Sequence, residues 1–377
     1  QGCPPAQPWV ETVTFGSLSS QLRAEMNASF DQWERLKVVA GAEMAKSSIQ
    51  SQVDQKASGP GILFHSVATS PEQIEHTDVA LYAQGSWKPR PWVKLVFAGR
   101  VSHNEINNKP GAAGYGTLFT PRAGVILSPT GKHIVLKAIY SEAFKDPTDA
   151  EKFGVLAGVN EYPSFGLKPE RVRNGELSAA WEPSERFSAD ASLYRASYSN
   201  VVGFDPVGGC FGAGCLRYAN RDRIVVTGLQ TDVRYHAGAT EWWGNYTHTD
   251  PRLTNPDDAR FDSLPVADIA GNRLNAGIDV RLRDRWNAGL RAHYVGERRT
   301  GQGTTDAANP FTRMPPYTTA DAAVSDRRLI PRATLQLGVD NLFDKQYYDP
   351  ATDPLAGAPR VLQAGRTVYL RLIVTLR

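Results

Sequence analysis

The sequence predicts an all-β protein, an antiparallel up-and-down β-barrel that crosses a membrane, and three observations support this fold class. Apolar and polar residues alternate with period two along many segments, which is typical of strands with two unlike faces. Short turns alternate with long loops, as they do at the two rims of a membrane barrel. No apolar run of about 18 residues or more is present, so a transmembrane helix is excluded, whereas barrel strands with a polar lumen face escape hydropathy.

The closing segment of the chain shows this alternation most clearly. Its even positions carry apolar side chains, namely Val368, Leu370, Leu372, Val374 and Leu376. The positions between them carry Thr, Tyr, Arg, Ile and Thr. About ten residues of this kind cross a bilayer when the strand is tilted. We therefore expect a transmembrane strand at 367–376.

The same pattern recurs upstream and predicts about fifteen strands in hairpin order, with no amphipathic helix long enough to pack on them. In the first strand, Leu22 and Met26 alternate with Arg23 and Glu25. The predicted strands before the closing one are 18–30, 36–44, 79–87, 93–101, 118–127, 133–140, 177–181, 187–193, 222–235, 242–246, 276–282, 286–294, 317–325 and 333–339.

The connections between these strands carry the topology. Turns of roughly two to five residues alternate with loops of roughly fifteen to thirty, whereas a soluble sandwich or propeller gives no reason for this alternation. Residues 1–17 are expected to form a loop leading into a barrel that occupies 18–377. The predicted long loops include 47–76, 104–116, 141–169, 249–270 and 297–316. Aromatic residues near strand ends suit interfacial girdles, namely Trp87, Trp92, Trp181, Trp242, Trp286, Tyr140 and Tyr294.

Composition narrows the partners and the compartment. The 42 Lys and Arg against 39 Asp and Glu give a net charge of +3, so there is no electrostatic case for a nucleic-acid partner. Cys210 and Cys215 close a short Gly-rich loop, which predicts a local disulfide in an oxidising compartment, the alternative being two free thiols. Cys3 is left without a partner. Because the chain begins at Gln1 without an initiator Met or a signal peptide, we expect a processed chain or a fragment.

No catalytic constellation is present, so the sequence predicts neither an enzyme nor a cofactor, and no metal site. Seven scattered histidines lack a Cys or carboxylate at ligand spacing and are expected at the rim or in the lumen, namely His65, His76, His103, His133, His236, His248 and His293. Four loop carboxylates could bind a hard cation such as calcium, but their spacing matches no loop motif and a solvated loop is expected instead. These are Asp250, Asp257, Asp258 and Asp262.

Two sets of residues are candidates for work inside the barrel or at its mouth. A charged set is predicted to line and solvate the lumen, namely Arg23, Lys94, Arg100, Lys137, Arg281, Arg291, Glu25, Glu176 and Asp279. We also predict ligand contacts at Arg217, Tyr218 and Arg221, beside the two loop cysteines. A stapled loop offers a pre-ordered surface and lowers the entropic cost of binding.

Ordered local motifs add a family resemblance. Residues 120–125 and 139–147 look like a mid-barrel hairpin, and Lys168, Pro169 and Glu170 belong to a Leu-Lys-Pro-Glu stretch before a strand. A tight turn near the end of the chain and the start of the closing strand complete the set, namely Asn341, Leu342, Phe343, Asp344, Gly365 and Arg366. Together these anchors resemble TonB-dependent outer-membrane receptors over essentially the whole chain.

The resemblance implies a 22-stranded barrel in the Gram-negative outer membrane, surrounded by lipid and filled by an N-terminal plug. Such receptors import scarce small molecules, for example ferric siderophores, haem or cobalamin, and the plug couples them to the TonB complex. By this comparison the chain is expected to lack the plug and about seven strands. It also ends at Arg377, where the family usually has an aromatic residue.

Two other functions fit the same pattern, a passive porin or substrate-specific diffusion channel, and an outer-membrane adhesin or surface-binding protein. The strand count gives a structural expectation that separates a partial barrel from a small complete one. In a partial barrel, 367–376 pairs with 335–339 on one side only. A closed ring of fifteen or sixteen strands would contradict this expectation.

Overall fold

A computed structural model describes residues 10–59, 62–69, 74–107, 114–129, 133–148, 151–152, 161–162, 164–207, 215–254, 264–266, 268–282, 285–299, 313–330, 332–350 and 360–374. Most of these residues lie in β-strands. In chain order the strands are β1 (Val10–Trp33), β2 (Leu36–Gly59), β3 (Ile62–Thr69), β4 (Ile74–Arg90), β5 (Val93–Ile106), β6 (Gly116–Leu127), β7 (Ile134–Lys145), β8 (Glu161–Tyr162), β9 (Glu170–Ser184), β10 (Phe187–Val207), β11 (Cys215–Ala237), β12 (Thr240–Thr254), β13 (Leu264–Pro265), β14 (Asn272–Leu282), β15 (Trp286–Val295), β16 (Arg298–Arg299), β17 (Arg313–Met314), β18 (Tyr317–Ile330), β19 (Ala333–Asp340), β20 (Tyr348–Pro350), β21 (Arg360–Leu362) and β22 (Thr367–Val374).

Fourteen antiparallel pairings join fifteen of these strands into one meander, in the order β1, β2, β4, β5, β6, β7, β9, β10, β11, β12, β14, β15, β18, β19, β22. The shorter strands lie in the long connections: β3 pairs with β2, β13 with β12, and β8 runs parallel to β11. Two further pairs, β16 with β17 and β20 with β21, form hairpins of their own. The sequence-based count of about fifteen strands is confirmed.

The meander has two open ends. Within the described ranges, β22 pairs only with β19, from Ala333 opposite Val374 to Asp340 opposite Thr367. At the other end, β1 pairs only with β2 over the same part of the structure. The expected pairing of the closing strand with 335–339 is therefore confirmed.

One face of the sheet is apolar and exposed on nearly every long strand. Leu22 and Met26 on β1 are each 76% exposed, and Leu370 on β22 is 70% exposed. Other exposed members of this outer face include Leu81, Phe97, Val125, Leu136, Leu177, Leu193, Val233, Leu290 and Leu337. A continuous apolar surface of this extent is costly in water and suits hydrocarbon. The face therefore fits a lipid environment.

Aromatic residues mark both borders of this apolar band. Exposed Trp87, Trp181, Trp242 and Trp286 lie beside short turns. Exposed Tyr140 and Tyr294 lie toward the ends of β7 and β15 that lead into long loops. Because aromatic rings with a polar edge favour the headgroup region, the predicted girdles agree with this arrangement.

The inner face is polar and packs large rings over glycines. The Tyr82 ring covers Gly41 on the neighbouring strand β2, and its hydroxyl reaches Glu25 on β1 at 2.7 Å. A Cβ added to Gly41 would lie 2.5 Å from the Tyr82 ring. The same packing recurs at Tyr194 over Gly228, Trp243 over Gly277 and Tyr369 over Gly338. Each pair fixes the register of adjacent strands by shape.

Most strands are longer than the sequence predicts, and the largest extensions are toward the long loops. β1 already begins at Val10, so the part of 1–17 that is described belongs to a strand and not to a leading loop. The expected loop at 47–76 is also wrong, because β2 continues to Gly59 and β3 pairs back on it. The sequence of 47–58 is rich in Ser, Gln and Lys and lacks the apolar alternation that identifies a strand in lipid. Among the described residues, no helix is long and apolar enough to cross a membrane.

Replacing Gly41 with Val should destabilise the fold. The new Cβ would meet the Tyr82 ring at 2.5 Å and a backbone oxygen of Met26 at 2.8 Å. Overpacking of this kind costs about 1–3 kcal/mol. The measurement is the temperature at which the SDS-resistant folded form in outer-membrane fractions converts to the unfolded form. Gly175→Val is the matched control, because an added Cβ there meets nothing within 4 Å. Equal unfolding temperatures for the two variants would contradict the argument.

Candidate functional site

The inner face carries a compensated charge network near its first strands. The Glu43 carboxylate lies 3.0 Å from Nε of Arg23 and accepts a hydrogen bond from Nη2 of Arg100 at 2.9 Å. On the same face Tyr82 donates to Glu25. Because each carboxylate faces a donor from another strand, the wall stays polar without a large excess of one charge.

The charged residues predicted for the lumen all lie on this inner face, opposite the exposed apolar positions of their strands. They are Arg23, Glu25, Lys94, Arg100, Lys137, Glu176, Asp279, Arg281 and Arg291. Their alternation with apolar neighbours was sufficient to assign the face.

A line of polar side chains crosses the inner face from β12 to the loop after β19. Asn275 donates to Asn245 Oδ1 at 2.7 Å, and the two ring nitrogens of His293 lie 2.8 Å from Asn275 Oδ1 and 3.0 Å from Asp321 Oδ2. The other oxygen of Asp321 accepts the backbone N–H of Asn341 at 2.8 Å. The lumen wall is thereby joined to the base of a long loop.

A second structure stands at the long-loop rim, and we call its five residues the rim cluster. Arg298 is 6% exposed, lies 2.8 Å from Asp349 Oδ1 and donates to the Tyr348 carbonyl at 2.9 Å. Its guanidinium lies 5.5 Å from the Tyr317 ring centroid, and the Tyr347 ring lies 4.4 Å from that of Tyr317. The rim cluster therefore ties the loop after β15 to the loop after β19.

The electrostatics of the rim cluster keep a phenol protonated. Burial raises the pKa of Tyr347, and the nearby carboxylates of Asp349, Asp321 and Asp340 raise it further because they repel the phenolate. A protonated phenol is a hydrogen-bond donor. The cluster thus offers a donor and aromatic surface at the mouth of the inner face.

The β20–β21 hairpin adds a cation to this surface. The Arg360 guanidinium lies 4.2 Å from the Tyr348 ring centroid, and both residues are half-buried. Stacking on the ring limits the motion of the guanidinium, and the N–H groups at its edge can donate to a ligand oxygen. An aromatic or anionic ligand is the chemistry that this arrangement suits.

Another group of polar contacts near the rim lies in and beside the loops after β5 and β7. Lys152 is buried, and its Nζ lies 2.7 Å from Asp146. Burial raises the pKa of Asp146, and the hydrogen bond from Lys152 opposes that shift. Nearby, Asn104 donates to Asp78 at 2.8 Å and the Tyr115 hydroxyl lies 3.4 Å from the same carboxylate. These side chains bind one another, which indicates a structural role, and among the described residues Asp146 Oδ1 and Asn104 Oδ1 are buried without a hydrogen-bond partner.

The Leu-Lys-Pro-Glu stretch also has a structural explanation. The Lys168 N–H donates to Asn220 Oδ1 at 2.7 Å, and the Asn220 amide donates back to the Lys168 carbonyl at 2.8 Å. The Pro169 carbonyl accepts from Asn200 at 3.1 Å, and the Glu170 carboxylate accepts a backbone N–H of β10 at 2.8 Å. The stretch therefore holds the start of β9 against β10 and β11.

The Asn-Leu-Phe-Asp turn is fixed by its first and last side chains. Asn341 is buried with a φ of +51°, its Oδ1 accepts the Lys345 N–H at 2.8 Å, and its amide donates to the Lys345 carbonyl at 2.9 Å. Asp344 accepts the Arg366 N–H at 2.8 Å. A Cβ on Gly365 would lie 2.8 Å from the same Asp344 oxygen. Gly365 and Arg366 thus lead into β22, with the Asp344 side chain packed against the first and bound to the N–H of the second.

The two apolar residues of this turn have different environments. The Leu342 N–H donates to the Ala320 carbonyl at 2.6 Å and so continues the pairing toward β18. Phe343 is 77% exposed. The family-motif residues predicted from the sequence therefore have structural roles in the wall and at its rim. None of them belongs to the rim cluster.

The predicted ligand residues beside the cysteines do not lie in a loop. Tyr218 and Arg221 belong to β11, which begins at Cys215, so their assignment to a long loop is wrong. In β11, Arg217 pairs with Asp205 of β10. Cys210 and the side chains of Cys215 and Arg217 lie outside the described residues. The disulfide and the ligand contacts remain predictions.

The acidic set separates in the same way. Asp250 lies in β12, 2.8 Å from Arg252 Nε, so its assignment to a solvated loop is wrong, because β12 runs on to Thr254. Asp257, Asp258 and Asp262 lie outside the described residues. In the ranges that the structure describes, no group of three or more His, Cys, Asp and Glu is placed to hold a metal ion.

Sequence reasoning missed the rim cluster. Arg298 and Asp349 lie 51 positions apart, Tyr317 lies between them in the sequence, and no periodic pattern connects the three. The available signal was two doublets in long loops, Arg298 with Arg299 and Tyr347 with Tyr348. Only the register of β15, β18 and β19 brings these doublets to one rim.

Comparison with known proteins settles the family. The family model described as "TonB dependent receptor-like, beta-barrel" matches residues 6–342. The chain belongs to this family. Membership of this family explains the antiparallel meander, the apolar outer face and the polar inner face together.

Curated relatives are similar over much of the chain. An iron-regulated outer membrane virulence protein of Vibrio cholerae is 25% identical over 293 residues, which is 74% of this chain and 42% of that protein. The ferric enterobactin receptor of Pseudomonas aeruginosa is 26% identical over 55% of this chain and 30% of its own length. The chain spans less than half the length of these two relatives.

Solved structures show the same fold. The copper transporter OprC superposes with a TM-score of 0.74 at 16% identity, covering 96% of this chain and 57% of the transporter. The FrpB iron transporter of Neisseria meningitidis gives a TM-score of 0.71 at 17% identity, with 94% and 56% covered. The barrel wall is therefore the shared feature.

Removing the Asn341 side chain should open the loop that follows β19. Asn341→Ala leaves the Lys345 N–H and carbonyl without these partners and places Ala at a positive φ, at a cost of about 2 kcal/mol. The measurement is protease cleavage within 345–366 of protein in outer-membrane fractions. Asn341→Gly is the control for backbone strain and should be intermediate between wild type and Asn341→Ala. Cleavage at the wild-type rate in both variants would contradict the role assigned to this side chain.

Proposed function

We propose that the chain forms part of the barrel wall of a TonB-dependent receptor. This receptor imports a scarce small molecule across the outer membrane and catalyses no reaction. The observation that carries the proposal is a wall with a lipid-compatible outer face and a polar inner face, whose rim bears the rim cluster. The described residues include no plug, so coupling to the TonB complex is proposed for the whole receptor.

A metal chelate, such as a ferric siderophore, is the ligand class that the rim suits best. The rings of Tyr317, Tyr347 and Tyr348 offer stacking surface, Tyr347 offers a donor, and Arg360 offers a cation. An anionic chelate with aromatic groups would use all three features. The relatives include receptors named for ferric enterobactin and for metal-pseudopaline, which supports the same class. Haem or cobalamin would present comparable flat surface.

The open edges of β1 and β22 support a larger barrel. An unpaired strand edge in hydrocarbon leaves backbone groups without partners, and each costs several kcal/mol. We propose that further strands of the whole receptor pair with these edges, as the lengths of the relatives suggest. A passive channel or an adhesin would need the same closure, so energy coupling separates the functions.

Deletion of the gene should abolish growth on one class of ferric chelate under iron limitation. The test supplies ferric catecholate, hydroxamate and citrate chelates separately to the deletion strain and to the same strain carrying the wild-type gene. Growth restored by the gene only when TonB is present supports the receptor. Growth restored equally without TonB would identify a diffusion channel, and no growth difference with retained surface binding would identify an adhesin.

Within the restored strain, Arg360→Gln should weaken chelate binding at least about tenfold, because a hydrogen bond from a charged group to a ligand oxygen is worth about 1.5–3 kcal/mol. Arg366→Gln in the same loop is the matched control, since it removes the same charge from an exposed position. A triple change of Arg217, Tyr218 and Arg221 to Ala tests the other predicted contact set. Loss of affinity in the triple variant alone would move the binding site to β11.

A further inference from the structure

The outer face has a groove in its apolar band, across β6, β7, β9, β10 and β11. Small residues form its floor, namely Ala123, Ala138 and Gly175, and larger ones form its walls, namely Tyr140, Leu177 and Leu193. Its volume is about 740 Å³. A second depression of about 430 Å³, lined by residues such as Leu136 and Ala191, continues toward the short-turn rim.

The strand register makes this groove continuous. Val125, Ala138, Leu177, Leu193 and Leu229 are successive partners in one row across five strands. Leu177 is 61% exposed and Leu193 is 58% exposed, so the row faces outward. The neighbouring rows place Gly175 on one side and Ala179 with Ala191 on the other. The groove is therefore wider across the strands than along them, and its successive rows lead from the long-loop side of the sheet toward the short-turn rim.

Arginines occupy the same outward positions directly above the groove, toward the long loops. We call them the arginine band, and its members are Arg171, Arg173, Arg195, Arg223 and Arg252. Arg195 lies opposite Gly175 at the upper end of the groove. The side chain of Arg173 is 63% exposed. Charged residues on the outer face of a barrel are expensive within the hydrocarbon and inexpensive near the interface, so this band marks the headgroup level.

The band keeps positive charge after its internal pairs are counted. Glu142 lies 3.0 Å from Arg171 and 3.5 Å from Arg173, and Asp250 lies 2.8 Å from Arg252. Five arginines thus stand against two carboxylates on this part of the face. Within the described residues Arg195 has no ion-pair partner. The surplus charge complements an anion held at headgroup level.

We propose that the groove and the arginine band together bind one phosphate-bearing lipid of the outer leaflet, with acyl chains in the groove and phosphates on the arginines. The apolar channel and the cationic cap are the two halves of such an amphiphile. The proposal rests on the membrane placement in the proposed function, and not on import. A receptor that transports nothing could still bind the lipid, so the two can fail separately.

The first test measures lipid carried by the whole receptor purified in detergent and mixed with lipid A, a diphosphorylated acylated disaccharide. Native mass spectrometry should show about one lipid A bound to wild type, and Arg173→Gln with Arg195→Gln should reduce its affinity about tenfold. Lys46→Gln is the matched control, because Lys46 is an exposed outward cation on β2, away from the groove. Equal affinity in the double variant and wild type would overturn the proposal, as would an equal loss in the control.

The second test separates the groove from the arginines. Gly175→Trp should fill the groove without backbone strain, since an added Cβ meets nothing within 4 Å. It should abolish lipid A binding, whereas the same change at Ala83, an outward position on β4, should leave it intact. Competition by inorganic phosphate as strongly as by phosphatidylglycerol would reduce the site to a phosphate contact and overturn the acyl part. A wild-type dimer that Gly175→Trp dissociates, with lipid A binding unchanged, would assign the groove to a second copy of the chain.

Discussion

Backbone hydrogen bonding in a medium without water is the constraint on which this structure depends. A chain in hydrocarbon cannot leave N–H and C=O groups unpaired, so its strands must find partners along their whole length. Every long strand from β2 to β19 has a partner on each side, through the antiparallel meander. The exposed apolar side chains, the short turns and the girdles follow from holding that sheet across a bilayer. The edges of β1 and β22 are where the same constraint still requires a partner.

The two faces of the wall solve different problems with the same alternation of residues. The outer face needs apolar surface area against lipid and little shape complementarity, so Leu, Val and Phe recur there with few specific contacts. The inner face needs polar groups that satisfy one another, which it achieves by ion pairs such as Arg100 with Glu43 and by rings laid over glycines. Because Tyr82 reaches past Gly41 to Glu25, the inner face couples three strands where the outer face couples two.

The sequence predicted the part of the fold that touches lipid and failed above it. In lipid, Leu22, Arg23, Met26 and their neighbours must alternate, so period two identifies β1 at once. Above the membrane both faces meet water, the alternation disappears, and the continuation of β2 to Gly59 leaves no trace in the pattern. The rim cluster was hidden for a related reason. Arg298 and Asp349 meet only through strand register, which single residues do not encode.

The residues that carry the family resemblance differ from those expected to determine ligand specificity. Asn341, Asp344, Glu170 and Lys168 are recognisable because they are bound to the backbone of neighbouring strands, a role that any ligand leaves unchanged. A receptor can therefore keep these anchors while its loops diverge. Specificity then has to reside in side chains that the anchors merely position. We propose Arg360 above Tyr348 as such a side chain, since its hairpin belongs to the loop that the Asn341 turn begins.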